Sequence, residues 1–412
     1  MRHVMLACAL LLFAAAAVRA QDRDQQAFQT IEHGRYMAIA GDCAGCHTGP
    51  GGKPFAGGGA LETPFGILLA PNITPDVQTG IGGWTDDQFV DAVRDGTGRS
   101  GDHLYPAMPY TYYTRMKRED VIAIRAFLDT VEPVSNLVHP NQLPFPFNQR
   151  EAMAGWNALY FKSGELEPNP GKSAEWNRGA YLVEGAEHCG LCHTPKNVMG
   201  GDETSKPMQG SVLQNWFAPD LTGNRRIGIG EWTADDIVLY LKTGRNRYDI
   251  ASGPMADAVT HSTSHLSDAD LRAIAVYLKD LPPSGGTAQP VAAQNPAMQQ
   301  GRAIYADQCA ACHTMRGDGI VGLFPRLGGA PLVQQAQATS LIRVVLEGSR
   351  SVATESAPTG PAMPSFAWKL SDAEVAAVLT FIRNSWGNAA PAVAAADVGK
   401  MRHQLQSRAQ AQ

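Results

Sequence analysis

Three times along this chain a C-x-x-C cysteine pair is followed at once by histidine. The motifs are Cys43-Ala44-Gly45-Cys46-His47, Cys189-Gly190-Leu191-Cys192-His193 and Cys309-Ala310-Ala311-Cys312-His313. Of the seven cysteines only Cys8 stands outside them. Two thiols three residues apart share one helical turn, and C-x-x-C-H is the attachment signature of a c-type haem. The thiols can bond the two vinyl groups of one porphyrin, and the next residue can then turn its imidazole to the iron. A disulfide framework, the usual employment of cysteines in exported chains, leaves the three histidines unexplained. A zinc site would lack a fourth ligand at each cluster, and a thioredoxin-like redox pair needs a βαβ context that is missing. The motifs therefore predict three haem c groups, bonded to Cys43, Cys46, Cys189, Cys192, Cys309 and Cys312, with His47, His193 and His313 on the proximal side of each iron.

Each motif is followed by a methionine in a Pro-rich loop: Met108 in Pro106-Ala107-Met108-Pro109, Met255 in Gly253-Pro254-Met255, and Met363 in Pro361-Ala362-Met363-Pro364. These are the expected sixth ligands, with His103, His261 and His265 as competitors. Met/His ligation raises a haem's potential and closes both faces of the iron, which leaves electron transfer as its chemistry. Pro71, Pro219 and Pro325 are candidates to accept the proximal imidazole N–H through their carbonyls, which would fix the tautomer.

One plan recurs three times. Each copy opens with a helix carrying glycine and then tyrosine (Gly34 and Tyr36, Gly179 and Tyr181, Gly301 and Tyr305) and closes with an amphipathic helix: Glu119–Leu128, Asp268–Leu278 and Asp372–Ile382. Apolar residues recur at helical spacing there, as in Val121, Ile124, Phe127 and Leu128. Ser267-x-x-Asp270 and Ser371-x-x-Glu374 have the form of capping boxes. The closing aromatics Phe127, Tyr277 and Phe381 are expected to cross the opening glycines. Copies one and two also share Ala70–Thr74 with Ala218–Thr222, and Trp84 with Trp232, whose indoles either donate to a haem or pack in the core. The expected fold is all-α, three tandem cytochrome-c-like domains each wrapped around a covalent haem c.

The boundaries follow. Residues 28–132, 172–283 and 296–387 form the domains. Residues 133–171, dense in aromatics, form a structured linker that packs across domains one and two or against a partner. Residues 284–295 form a flexible linker, which leaves domain three the more mobile. Residues 388–412 form a tail that is disordered or a weak surface helix. Domains of about 100 residues have small cores, so the buried haem is expected to supply much of each core.

Residues 1–20 have the form of a secretory signal: Arg2 and His3, an apolar stretch from Val4 to Val18, and the small-x-small site Val18-Arg19-Ala20. No later run reaches the about 18 apolar residues of a membrane span. A formal net charge of −5 excludes the basic footprint of nucleic-acid binding. Catalytic triads, phosphate loops and nucleotide fingerprints are also missing from the sequence.

On the three motifs, the Ala70–Thr74 and Trp84 segments, and the linker Leu143-Pro-Phe-Pro-Phe-Asn148 with Trp156-Asn157, the chain resembles the cytochrome c subunit of membrane-associated alcohol dehydrogenases. That family also serves gluconate, sorbitol and aldehyde dehydrogenases. The resemblance implies a non-catalytic subunit that takes electrons from a quinoprotein, flavoprotein or molybdoprotein dehydrogenase. It implies delivery to ubiquinone, a terminal oxidase or a small cytochrome, at the periplasmic face of the inner (cell) membrane. The sequence shows no strong amphipathic membrane helix after Trp386. A self-contained haem enzyme, peroxidase-like or thiosulfate-oxidising, is the alternative, as is an oxidase-associated cytochrome subunit.

Overall fold

The computed structural model describes residues 27–286 and 290–411; the expected signal segment lies outside them. The chain is mostly helical. The first stretch contains α1 (residues 27–40), α2 (Cys43–His47), α3 (Asp86–Asp95), α4 (Tyr110–Tyr113) and α5 (Arg118–Leu128). After α6 (Ala152–Tyr160), the second has α7 (Ala174–Tyr181), α8 (Cys189–His193), α9 (Ala234–Thr243), α10 (Pro254–His261) and α11 (Asp268–Lys279). The third has α12 (Pro296–Gln308), α13 (Ala310–His313), α14 (Thr339–Glu347), α15 (Asp372–Ile382) and α16 (Ala395–Ala411).

The same helix crossing recurs three times, and glycine is the reason. A Cβ on Gly34 would lie 1.8 Å from the Ala123 carbonyl oxygen, on Gly179 2.0 Å from that of Ala273, and on Gly301 2.1 Å from that of Ala377. The opening helix thus rests on the backbone of the closing one, one turn before the aromatics expected at the crossing. Tyr277 and Phe381 flank the contact through their Cβ atoms.

Helix ends follow local chemistry. Thr85 and Thr233 cap α3 and α9 in full capping boxes with Gln88 and Asp236, and Gly96 and Gly244 end those helices at φ 64° and 72°. Ser371 and Glu374 make the expected box. Ser267 caps α11, but the Asp270 carboxylate turns away to Arg178 and Tyr36. One residue more separates Tyr181 from Cys189 than Tyr36 from Cys43. The second stretch absorbs it as a π-helical turn over Leu182–Ala186.

Stretches one and two share one continuous apolar core, in which Met37, Val121 and Leu128 join Leu182, Leu266 and Leu271. The polar contacts between them are reciprocal. Tyr36 donates to Asp270 (2.6 Å), and Tyr181 donates to Asp120. The Ser267 N–H donates to the Tyr36 hydroxyl (3.1 Å), and the Lys117 N–H to that of Tyr181 (3.0 Å). Such mutual pairing is the mark of an approximate twofold.

Among the described residues the structure departs from the expectations in three places. The fold is not purely helical: three two-stranded antiparallel ribbons pair Ala60–Thr63 with Gly66–Leu69, Ser211–Leu213 with Trp216–Ala218, and Ser349–Arg350 with Ala362–Met363. They are too short for a period-two signal. The tail takes the helical alternative rather than the disordered one, and it is packed rather than weakly applied: α16 buries Val398 and Met401, and Arg402 bonds Asp372 and the Ala367 and Leu370 carbonyls. Residues 287–289 of the expected flexible linker lie outside the described residues; at its ends Ser284 bonds Asp220 and the Val291 N–H bonds Asn384. The third stretch is docked rather than loose. Ser340 pairs with the Phe217 backbone, Arg343 reaches the Gln214 carbonyl (2.9 Å) over the Trp216 ring, and Arg226 reaches the Ala389 carbonyl (2.8 Å). The 133–171 linker does pack across stretches one and two: Asn157 accepts from Tyr110 (2.7 Å) and the Trp156 indole donates to the Met199 carbonyl (2.9 Å).

Candidate cofactor sites

Each C-x-x-C-H motif forms one short helical turn, α2, α8 and α13. Asp42 and His188, immediately before the first two, stand in the left-handed region at φ 48° and 39°. That conformation is uncommon for non-glycine residues; it breaks the preceding helix and re-aims the thiol pair. All six cysteines are free. Burial pushes the Cys43 thiol up to about 12 and those of Cys192 and Cys309 up to about 11. Protonated thiols are poor metal ligands and poor nucleophiles, and among the described residues no cluster of three or more His, Cys, Asp or Glu could hold a metal ion. These motifs thus disfavour the thiolate that zinc binding or redox exchange would use. They suit thioethers, which carry no charge into an apolar setting.

The three histidines share one geometry. His47 Nδ1 lies 2.7 Å from the Pro71 carbonyl, His193 Nδ1 2.7 Å from that of Pro219, and His313 Nδ1 2.9 Å from that of Pro325. A carbonyl can only accept, so Nδ1 carries the proton and Nε2 keeps its lone pair. Burial lowers each imidazole pKa, partly opposed by that hydrogen bond. Three neutral imidazoles, each orientated by a prolyl carbonyl, are ready donors to a metal.

The methionines are placed less uniformly. Met108 lies in a turn, half-buried, against the core cluster that Cys43 and Cys189 also touch. Met363 lies on the last ribbon, on the cluster shared with Cys309. Met255 is in no loop: Pro254 stands in the first turn, so the segment begins α10. It packs on a small separate cluster of Ala251, Val259 and Val352, the last from the third stretch. Of the competitors, His265 bonds the Thr260 carbonyl (3.0 Å), His261 closes α10, and His103 Nδ1 is buried without a partner.

Orphaned polar atoms bear on whether a propionate-bearing macrocycle fits. Trp232 Nε1 is buried with no acceptor, while its ring stacks on Tyr248 at 5.5 Å. A buried donor without a partner costs free energy, and a haem carboxylate is an acceptor of the right charge. Thiol pair, neutral imidazole and unpaired indole together fit haem c in the second stretch. The first and third repeat the thiol–imidazole set. Sequence reasoning named Trp232 and the prolines but missed the left-handed residues at 42 and 188, which carry no composition signal.

The Cytochrome c family model matches residues 31–132 and 298–386, which hold the first and third motifs. The chain is 40% identical over 404 residues to the gluconate 2-dehydrogenase cytochrome c subunit of Pantoea cypripedii, covering 92% of this chain and 91% of that one. It is 40% identical over 422 residues to the cytochrome c subunit of alcohol dehydrogenase (quinone) from Gluconobacter oxydans (strain 621H), covering 96% and 87%. It is 35% identical over 429 residues to the fructose dehydrogenase cytochrome subunit of Gluconobacter japonicus, covering 95% and 87%.

Proposed function

We propose a three-haem relay for this chain, which belongs to the family of dehydrogenase cytochrome c subunits. It is an electron-transfer subunit of a dehydrogenase complex, built as three tandem cytochrome c domains. Its catalytic partner oxidises an alcohol, a sugar or sugar acid, or an aldehyde, and its electrons leave to ubiquinone or another respiratory acceptor. Residues 1–20 export the chain to the periplasm, where it works as a peripheral protein on the outer face of the cell membrane. Among the described residues no helix is long and apolar enough to cross a membrane. The observation that carries the reading is the threefold recurrence of a C-x-x-C turn ending in an imidazole held by a prolyl carbonyl.

Bound haem supplies a one-electron iron couple. The protein supplies the rest. Cys43, Cys46, Cys189, Cys192, Cys309 and Cys312 would hold the haems as thioethers. His47, His193 and His313 would ligate iron through Nε2, and Met108, Met255 and Met363 would supply the thioether ligands. The shared core of stretches one and two and the docking of stretch three hold the sites in a fixed array. The test is purification of the tagged chain with its dehydrogenase. Adding that enzyme's substrate should reduce all three haems in the complex; haems that stay oxidised would refute the reading.

A further inference from the structure

α4 lies between the first two attachment turns and touches both. The Tyr113 hydroxyl donates to the Gly41 carbonyl (2.5 Å), two residues before Cys43. Its ring lies 5.3 Å from the imidazole of His188, the residue before Cys189. Tyr112 bears on the second turn from the other side. A Cβ on Gly190, between Cys189 and Cys192, would lie 2.7 Å from the Tyr112 hydroxyl oxygen and 2.8 Å from Cε1. That position therefore has room only for glycine while Tyr112 stays in place.

The tyrosine is held firmly. Its hydroxyl donates to Asp202 (2.5 Å), whose other oxygen accepts from Lys196 (2.5 Å). Lys196 also donates to the Gly190 carbonyl (3.2 Å), and the Arg115 guanidinium lies 5.3 Å from the Tyr112 ring centre. At its start α4 is pinned by the Tyr110 hydroxyl on Asn157. It begins two residues after Met108, the distal ligand assigned to the first haem.

Resting on the relay reading, we propose that Tyr112 and Tyr113 are the spacer that sets the separation of the first and second haems, with Gly190 as the point where the spacer bears on the second attachment turn. Electron tunnelling falls steeply with distance, so a displaced spacer changes the rate of exchange before it changes how much haem is bound. These are positioning residues: they act through the turns they hold.

The test uses the full-length holoprotein. Haem-bearing peptides containing Cys43 and Cys192 are first sought in the wild type; their absence would defeat the relay itself, separately from the spacer. Electron equilibration between the first two haems is then followed after a light-triggered one-electron reduction. Gly190→Ala, a change that backbone conformation permits, should slow it about fivefold, the rate equivalent of about 1 kcal/mol, with haem content unchanged. Tyr112→Ala should slow it similarly, and adding Gly190→Ala to that variant should do nothing more, because the atom it would strike is gone. A Gly190→Ala protein with the wild-type rate, or slowing that persists in the Tyr112→Ala background, overturns the proposal. Should Gly190→Ala fail to accumulate, Tyr112→Ala alone decides, and a wild-type rate in that variant refutes the spacer.

Discussion

Replacing Gly301 by alanine sets two effects of opposite sign against each other. In an open helix Gly→Ala stabilises by about 1 kcal/mol, because glycine is the poorer helix former. At Gly301 the new methyl would lie 2.1 Å from the Ala377 carbonyl oxygen and 2.7 Å from Phe381 Cβ. Backbone cannot rotate out of the way, so α12 and α15 must part, and the overpacking cost lies at the upper end of about 1–3 kcal/mol. The net loss is about 2 kcal/mol, worth roughly 8–16 °C in the melting of a domain of this size. The third stretch has its own apolar cluster, so its transition should separate in a thermal scan followed by haem-band circular dichroism. Gly155→Ala in α6 is the control: nothing lies within 4 Å of the added carbon, and that variant should melt no lower than the wild type. A Gly301→Ala protein that melts with or above the wild type would refute the crossing argument.

Three further outcomes are expected. Burial, opposed by the Ser262 hydrogen bond and aided by Asp42, raises the Glu187 carboxyl to about 8. The native state then binds more protons than the unfolded one, so this group's contribution is full below about pH 4.5 and is lost as pH rises towards 8. Glu187→Gln should flatten that decline in denaturant titrations; an unchanged pH slope would contradict it. Replacing Met108, Met255 or Met363 singly by alanine should remove one haem's share of the weak red sulfur-to-iron band and create a high-spin species. An unchanged spectrum would exclude that methionine. Met401→Ala should cost about 2–5 kcal/mol of third-stretch stability, because its side chain is buried between α16 and its neighbours; a loss under about 0.5 kcal/mol, the scale of surface changes, would mean α16 is only loosely applied.

The sequence makes the repeating parts legible because their causes are local. A thiol pair, an opening glycine and a serine N-cap each act within a turn or at one crossing, although the serine cap belongs to the closing helices of copies two and three and Lys117 stands in its place in copy one. The prolyl carbonyls at 71, 219 and 325 were legible too, as prolines downstream of each motif, though 24, 26 and 12 residues beyond its histidine. What escaped notice depends on tertiary partners. Asp270 looks like half of a capping box, yet Arg178 and Tyr36 draw it away. The tail reads as disordered or a weak surface helix, yet Val398, Met401 and Leu405 find an apolar surface and Arg402 finds three acceptors. The connector before α12 reads as loose, yet Arg226, Arg343 and Gln335 clamp the third stretch from the side. Met255 looks like its two counterparts in sequence but opens a helix on a different apolar cluster.

The central claim is that every thiol pair downstream of residue 20 grips a porphyrin. Intact-mass spectrometry of the protein, paired with thiol alkylation under denaturing conditions, addresses it most directly. The account predicts the mass of the processed polypeptide plus three haem groups, with no cysteine open to alkylation. A mass carrying fewer than three, with free thiols at any of the motifs, would contradict it.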